Sequence, residues 1–219
     1  MLLDAHLRDR GLRDRTEITV ATVQPMLLPN AGLQGSTWLG EQLTSRGISS
    51  QAGRKVVRFE PGKVVFADGE LEAELIIGVP PHRPPPVVKD SGLTRGTDWV
   101  GVDPATLRTS ADRVFAIGDV THIKLANGLA LPKAGLFAEL EGKAVASSIA
   151  AEVSGAGEPL PFDGRGYCFM EMSGSEATLI EGDFFARPEP RVSLRDVSAR
   201  HAEAKRRFET QRLEEWFGG

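Results

Sequence analysis

Four apolar residues run straight into a Gly-Asp pair at "VFAIGD", Val114 to Asp119, and about a dozen residues later Pro132-Lys133 opens the longest helical stretch in the chain. The first run is short, apolar and closed by a turn residue, the pattern of a buried strand. An acidic side chain at the C-terminal edge of such a strand stands where open α/β sheets bind their ligands. Gly118 lets a backbone approach closely, and Asp119 can accept hydrogen bonds from a sugar or ribityl hydroxyl. Taken alone, the same pair reads equally well as a turn or cap at a strand end. Over 133–153, Phe137, Leu140, Ala144, Val145 and Ile149 recur at helical spacing. The first N–H groups of that helix point outward with the positive end of its dipole behind them, an arrangement that stabilises negative charge on a carbonyl oxygen. Lys133 is a cation at the wrong end of this dipole; the plain reading makes it a solvated charge, and the other gives it a task.

The rest of the chain supplies short, punctuated elements. Residues 2–10 read as a helix with Leu2, Leu3 and Leu7 toward one side and Gly11 closing it. "EITVATVQ" predicts a buried strand. Gly32 and Gly35 predict a loop, with Ser36 capping a helix over 37–46 that ends at Gly47. The runs Lys55–Glu60, Lys63–Ala67 and Ala73–Val79 predict an antiparallel meander turned by Pro-Gly and Asp-Gly. "PPHRPPP" predicts a rigid loop, with the main boundary between residues 80 and 98. "WVGVDPATLRTS" follows as a short strand and turn. After a linker at Gly155–Pro161, "GYCFMEM" and "EATLIEGDFF" predict a hairpin across Ser173–Ser175, and 194–217 an amphipathic helix carrying Val197, Ala204, Phe208, Leu213 and Trp216. This divides the chain into 1–90, 91–155 and 156–219.

Composition narrows the function classes. A net charge of -4 argues against a nucleic-acid partner, which calls for a basic excess. No apolar run approaches the ~18 residues of a membrane span, and the opening "MLLDAHLRDRGLRDR" lacks a signal-peptide pattern. His6, His82, His122 and His201 are scattered without ligand spacing, so no metal site is expected. The single cysteine, Cys168, closes no disulfide within the chain and suits a reducing, cytoplasmic setting. It lies in an alternating strand, where a lone cysteine is ordinarily a small hydrophobe; a reactive thiol needs positive charge beside it, and Arg165 is the near candidate.

Two segments together carry a family resemblance. "LRTSADRVFAIGDV" followed by "LPKAGLFAELEGKAVASSIAAEV" resembles the second flavin-binding segment of the two-dinucleotide-fold flavoprotein oxidoreductases, and among them the sulfide:quinone oxidoreductase and flavocytochrome c sulfide dehydrogenase branch. The meander ending in "AELIIGVPPHRPP" is similar to the pyridine-nucleotide-like domain of that family. The resemblance spans roughly residues 15–185 and implies an α/β fold. That fold is a partial two-dinucleotide-binding-domain (FAD/NAD(P)-binding, Rossmann-like) flavoprotein lacking the N-terminal FAD half, with a C-terminal β-hairpin and helix. It implies that Asp119 binds the ribityl chain of FAD, with Gly118 giving room. Lys133 would stand near the pyrimidine edge of the flavin, and the helix entered through Pro132, Ala134 and Gly135 would aim its N-terminus at the C2 carbonyl. Cys168 falls where sulfide-oxidising relatives place a redox cysteine.

The departures are specific. The Gly-x-Gly-x-x-Gly turn that cradles the FAD pyrophosphate is absent, and "NAGLQGSTWLG" has its glycines at other spacings. The chain is therefore expected to be the C-terminal part of a longer flavoprotein. No second cysteine is present to close a sulfide-oxidising disulfide. The expected function is FAD-dependent electron transfer from a small-molecule donor to a quinone or similar acceptor, with peripheral membrane contact. The alternative is a non-catalytic, cofactor-free remnant or subunit that covers its exposed apolar surface by homo-oligomerising. A nicotinamide-dependent reductase is a third reading, weakened by the missing glycine turn.

Overall fold

The computed structural model describes residues 1–94 and 97–218. Helix α1 (Leu2–Asp9) forms as expected, but its buried residue is Asp4, at 3% exposure, while Leu2 and Leu3 lie open. Arg8 Nε at 3.1 Å and Arg13 Nε at 2.6 Å take one carboxylate oxygen each. Arg13 also donates to the carbonyls of Thr16, Arg46 and Gly47 at 2.6, 2.8 and 2.8 Å. The inner face of α1 is thus ionic, and the expected leucine stripe is not what it buries.

Strand β1 (Ile18–Ala21) pairs in parallel with β2 (Ile48–Gln51), Ile18 opposite Ile48, across helix α2 (Gly32–Ser45). The expected burial of β1 fails: three of its four residues are exposed, because this sheet has two strands and parallel strands are buried only when sheet and helices flank them. Helix α2 begins at Gly32, led in by a 3-10 turn at Pro29–Ala31, so Ser36 lies inside the helix and caps nothing. Its end at Arg46-Gly47 is as expected.

Strands β3 (Val56–Glu60), β4 (Lys63–Phe66) and β5 (Gly69–Glu72) form the antiparallel meander, with Val64 and Phe66 buried and the Arg54 guanidinium 4.2 Å from the Phe66 ring centre. The third strand is 69–72 and not 73–79. The turn after Phe66 closes at once, placing Gly69 opposite Phe66, so Leu75, Ile77 and Val79 fall outside the ladder at 71%, 72% and 83% exposure. The proline loop is followed by a short helix α3 (Pro86–Asp90) that the sequence reading did not foresee.

The chain divides into two compact units, Met1–Pro80 with Phe169–Ile180 and Ser193–Gly219, and Pro81–Cys168 with Glu181–Val192. In the second, β6 (Val100–Gly101) pairs in parallel with β7 (Thr121–His122), and helix α4 (Gly135–Ser154) ends on Gly155. The expected buried strand at 114–117 is no strand of a sheet; among the described residues it bonds to the segment just before it, Thr109 N–H to Val114 O at 2.9 Å and Ala116 N–H to Leu107 O at 3.1 Å, with Phe115 bridged to Arg108. Ile117 is 40% exposed. The core gathers Leu107, Ile123, Leu131, Phe137, Phe162 and Phe184. The Phe137 ring stands edge-on to Phe184 and Phe162 at 5.2 and 6.2 Å. Gly166 is required beneath it, since a Cβ there would lie 2.3 Å from the Phe137 ring.

Strands β8 (Arg165–Glu171) and β9 (Ala177–Asp183) form the expected hairpin, and β10 (Arg191–Leu194) adds to the other edge of β9. Because 191–194 is strand, helix α5 (Ala199–Phe217) starts later than the expected 194 and leaves Val197 outside. Ala202 is its buried residue; Leu213, Trp216 and Phe217 are exposed. No helix among the described residues is long and apolar enough to cross a membrane.

Candidate functional site

The stretch that ends in Gly-Asp folds into a single 3-10 turn, Gly118–Val120, immediately before β7. Gly118 takes φ +69°, a conformation that costs a side-chain-bearing residue roughly 1–2 kcal/mol. Space alone also asks for glycine, because a Cβ at 118 would meet the Ala138 Cβ at 3.3 Å. The turn is tied by the Thr121 hydroxyl, which donates to the Gly118 carbonyl at 2.8 Å. Residues 123–131 then fold back on themselves, with Leu131 N–H bonding Ile123 O at 2.8 Å, and this return brings Pro132 and Lys133 beside the turn they follow.

One shallow recess of about 240 Å³, open to solvent, is lined by the turn, the return and the first turn of α4. Gly118, Asp119, Pro132, Lys133 and Ala134 all line it, joined by Thr121, Phe137 and Glu141. The two ends singled out in the sequence therefore face one space. Gly135 opens α4 and is not among the lining residues. Asp119 is exposed at the rim. Ala134 precedes the helix in extended conformation, and among the described residues no side-chain cap bond closes the helix start, which leaves its leading N–H groups at the recess.

The Lys133 amine turns under the 118–121 turn. Its Nζ donates to the carbonyl of Asp119 and, at 3.0 Å, to that of Thr121, and it sits 3.7 Å from the Trp99 ring centre. Burial pulls its pKa below the ordinary lysine value, opposed by the charges of Asp119 and Glu141. Trp99 is a contact that the sequence reading missed, and nothing in its local spacing announces it.

Glu141 was also missed. At 2% exposure it is among the most buried side chains, and it accepts a hydrogen bond from the Gly118 backbone N–H. Burial pushes its pKa up and the Asp119 charge adds to this, while the Gly118 N–H and Lys133 pull the other way. A signal existed: Phe137, Glu141, Ala144 and Ser148 fall on one helical stripe, and all four are buried.

Cys168 lies outside the recess. It is exposed, and desolvation by the chain around it still raises its thiol pKa. Arg165, the nearby cation, stands 3.9 Å from Asp163 and 3.7 Å from Asp183. Among the described residues no group of His, Cys, Asp and Glu is arranged to hold a metal ion. His122 is exposed in β7, and His201 keeps a buried Nδ1 that has no hydrogen-bond partner among the described residues.

Comparison with solved structures gives the same architecture. The sulfide:quinone oxidoreductase of Aquifex aeolicus superposes with a TM-score of 0.83 at 21% identity, covering 99% of this chain and 57% of that one. This chain therefore spans little more than half the length of that enzyme. A chain in the mitochondrial ATP synthase structure of Tetrahymena thermophila matches with a TM-score of 0.66 at 16% identity over 84% of this chain and 45% of that one. An FAD-dependent pyridine nucleotide-disulphide oxidoreductase from Desulfovibrio vulgaris matches with a TM-score of 0.55 at 22% identity, over 82% and 45%. At these identities the likeness is one of fold. The sequence pattern of the pyridine nucleotide-disulphide oxidoreductases matches residues 5–135, more than half of the chain, and the chain belongs to that family.

Proposed function

We propose that this chain supplies one cofactor-facing wall of an FAD-dependent oxidoreductase, which passes electrons from a small-molecule donor to a quinone-like acceptor. The observation that carries the reading is the shared recess: the Gly118-Asp119 turn and the open start of α4 line one space. FAD, when bound, supplies the electron transfer. The residues fit part of such a group. The exposed Asp119 carboxylate is a hydrogen-bond acceptor for ribityl hydroxyls, and Gly118 keeps the backbone there free of a side chain. The N–H groups at Ala134-Gly135, entered through Pro132, are donors for a carbonyl oxygen, and the helix dipole behind them favours negative charge on it. Lys133 adds a positive charge at the same place. The recess is open to solvent and lined on one side by the turn and the helix start, which suits one wall and not a whole pocket.

A second reading is favoured by the exposed apolar surface: a non-catalytic subunit without cofactor that covers this surface by self-association. Exposed Val57, Phe59, Leu75, Ile77 and Val79 would then be covered by a second copy. We assign Cys168 no step in either reading, because its thiol is disfavoured as a thiolate. Purified protein mixed with FAD and desalted separates the two. Retained flavin absorption, lost in Asp119→Ala, supports the first; a colourless protein whose Tm is unmoved by micromolar FAD overturns it.

A further inference from the structure

We propose that Glu141 is the positioning residue of this site, gripping the Gly118 amide so that the turn presents Asp119 to the recess; this rests on the cofactor-wall reading above. The proposal starts from a part-buried backbone donor, the Gly118 N–H. An extended segment that ended in a sheet would satisfy the Gly118 N–H from a neighbouring strand, but among the described residues 114–117 bonds to its own preceding turn. The acceptor comes instead from a side chain 23 positions away in sequence, on the second turn of α4.

A carboxylate is a costly choice for that place. The stripe it belongs to is otherwise Phe137, Ala144 and Ser148, and an apolar residue would continue it without desolvating a charge. What the carboxylate adds is a charge-assisted bond to one particular N–H, stronger and more directional than a neutral one. The turn is then held at both ends. Glu141 takes the N–H of Gly118, and the Lys133 amine takes the carbonyls of Asp119 and Thr121. Two opposite charges grip one turn, and between the two grips the Asp119 side chain is left exposed. The Ala138 Cβ, 3.3 Å from where a Cβ at 118 would stand, closes the remaining side, so the turn has little room to shift. Glu141 touches no ligand in this scheme; it acts through Gly118.

The test uses the full chain, isotope-labelled for amide NMR, as Glu141→Ala and Glu141→Gln. Gln keeps an oxygen able to accept from Gly118, so it should rescue what Ala loses. In Glu141→Ala the Gly118 amide proton should move upfield and exchange about tenfold faster, with the Asp119 and Val120 amide signals shifting too; in Glu141→Gln all three should stay near the parent. The FAD dissociation constant, read by flavin fluorescence, should rise about tenfold in the Ala variant and change less than about threefold in the Gln variant. A folded Glu141→Ala protein whose Gly118, Asp119 and Val120 signals do not move overturns the proposal. So does one in which they move while FAD affinity is unchanged. If the parent chain takes up no FAD, the cofactor reading falls by itself. The grip is then decided by the three amide signals alone: movement in Ala with rescue in Gln upholds it, and no movement overturns it.

Discussion

Replacing Gly118 by alanine tests the geometry of the site without touching any charge. Two separate costs are expected. The backbone at 118 has φ +69°, which an alanine occupies at a cost of roughly 1–2 kcal/mol. The added methyl would also stand 3.3 Å from the Ala138 Cβ, and neither group can rotate away, because each Cβ is fixed by its own backbone. Overpacking of this kind costs about 1–3 kcal/mol. Gly155 is the internal control, with φ +66° and nothing within 4 Å of a Cβ. Gly155→Ala should therefore lose only the conformational part, and Gly118→Ala the sum, about 2–5 kcal/mol. At roughly 2–4 °C per kcal/mol for a chain of this size, Gly118→Ala should melt several degrees below Gly155→Ala. Urea unfolding of both variants, followed by circular dichroism, measures the difference. Ala138→Gly added to Gly118→Ala should recover the contact part and leave the conformational part. Equal losses in the two single variants, or no loss at Gly118, would refute the close packing of the turn against α4.

Other perturbations reach other parts of the argument. Gly166→Ala drives a Cβ to 2.3 Å from the Phe137 ring and should cost about 1–3 kcal/mol in urea unfolding, a loss that Phe137→Leu in the same chain should partly restore; an unaffected single variant would mean the ring is not seated there. Arg13→Ala removes the closer of the two cations holding buried Asp4, along with three bonds to backbone carbonyls, and should destabilise by about 3 kcal/mol; a neutral effect would show that the ionic face of α1 carries no stability. The third concerns pH. Glu141 faces Asp119, Lys133 and the Gly118 N–H, and its folded pKa is raised above the ordinary 4.5. A carboxyl raised in this way binds its proton more tightly when folded, so its charged form weakens the fold at high pH and the penalty disappears as pH falls through the raised value toward 4.5. Stability of the parent relative to Glu141→Gln should accordingly fall as pH rises through that window; a flat or opposite difference in parallel urea titrations would sink the assignment.

What could be read in the chain beforehand divides along a physical line. Elements fixed by local rules were legible: α4 from its apolar spacing, and the β8–β9 hairpin from two alternating runs around Ser173–Ser175. Elements whose state depends on a neighbour were not. "EITVATVQ" and "LIIGV" have the composition of buried strands, yet Val20, Ile77 and Val79 are exposed, since burial comes from the strands and helices alongside and not from the residues themselves. The segment before Gly118 fails in the same way.

That failure also explains why half of the candidate site was invisible. With 114–117 joined, among the described residues, to the turn before it and not to a strand of a sheet, the Gly118 amide needs an acceptor, and no local pattern says where one will come from. The acceptor, Glu141, looks in sequence like one more solvated charge beside Glu139 and Lys143. Only its place on the Phe137–Ala144–Ser148 stripe marks it as different, and that mark becomes decisive once the stripe is known to be buried. Lys133 inverts the same lesson. The dipole argument flags it as misplaced, and in the fold its amine, while the residue lines the recess, is bonded to the carbonyls of the turn it supports. In the proposed reading a ligand meets the exposed Asp119 and the helix N–H groups, with Lys133 and Glu141 holding the turn between them. Substitutions at Glu141 should therefore act on Asp119 through the backbone, and an effect on ligand affinity without any change in the Gly118 amide would contradict this order of causes.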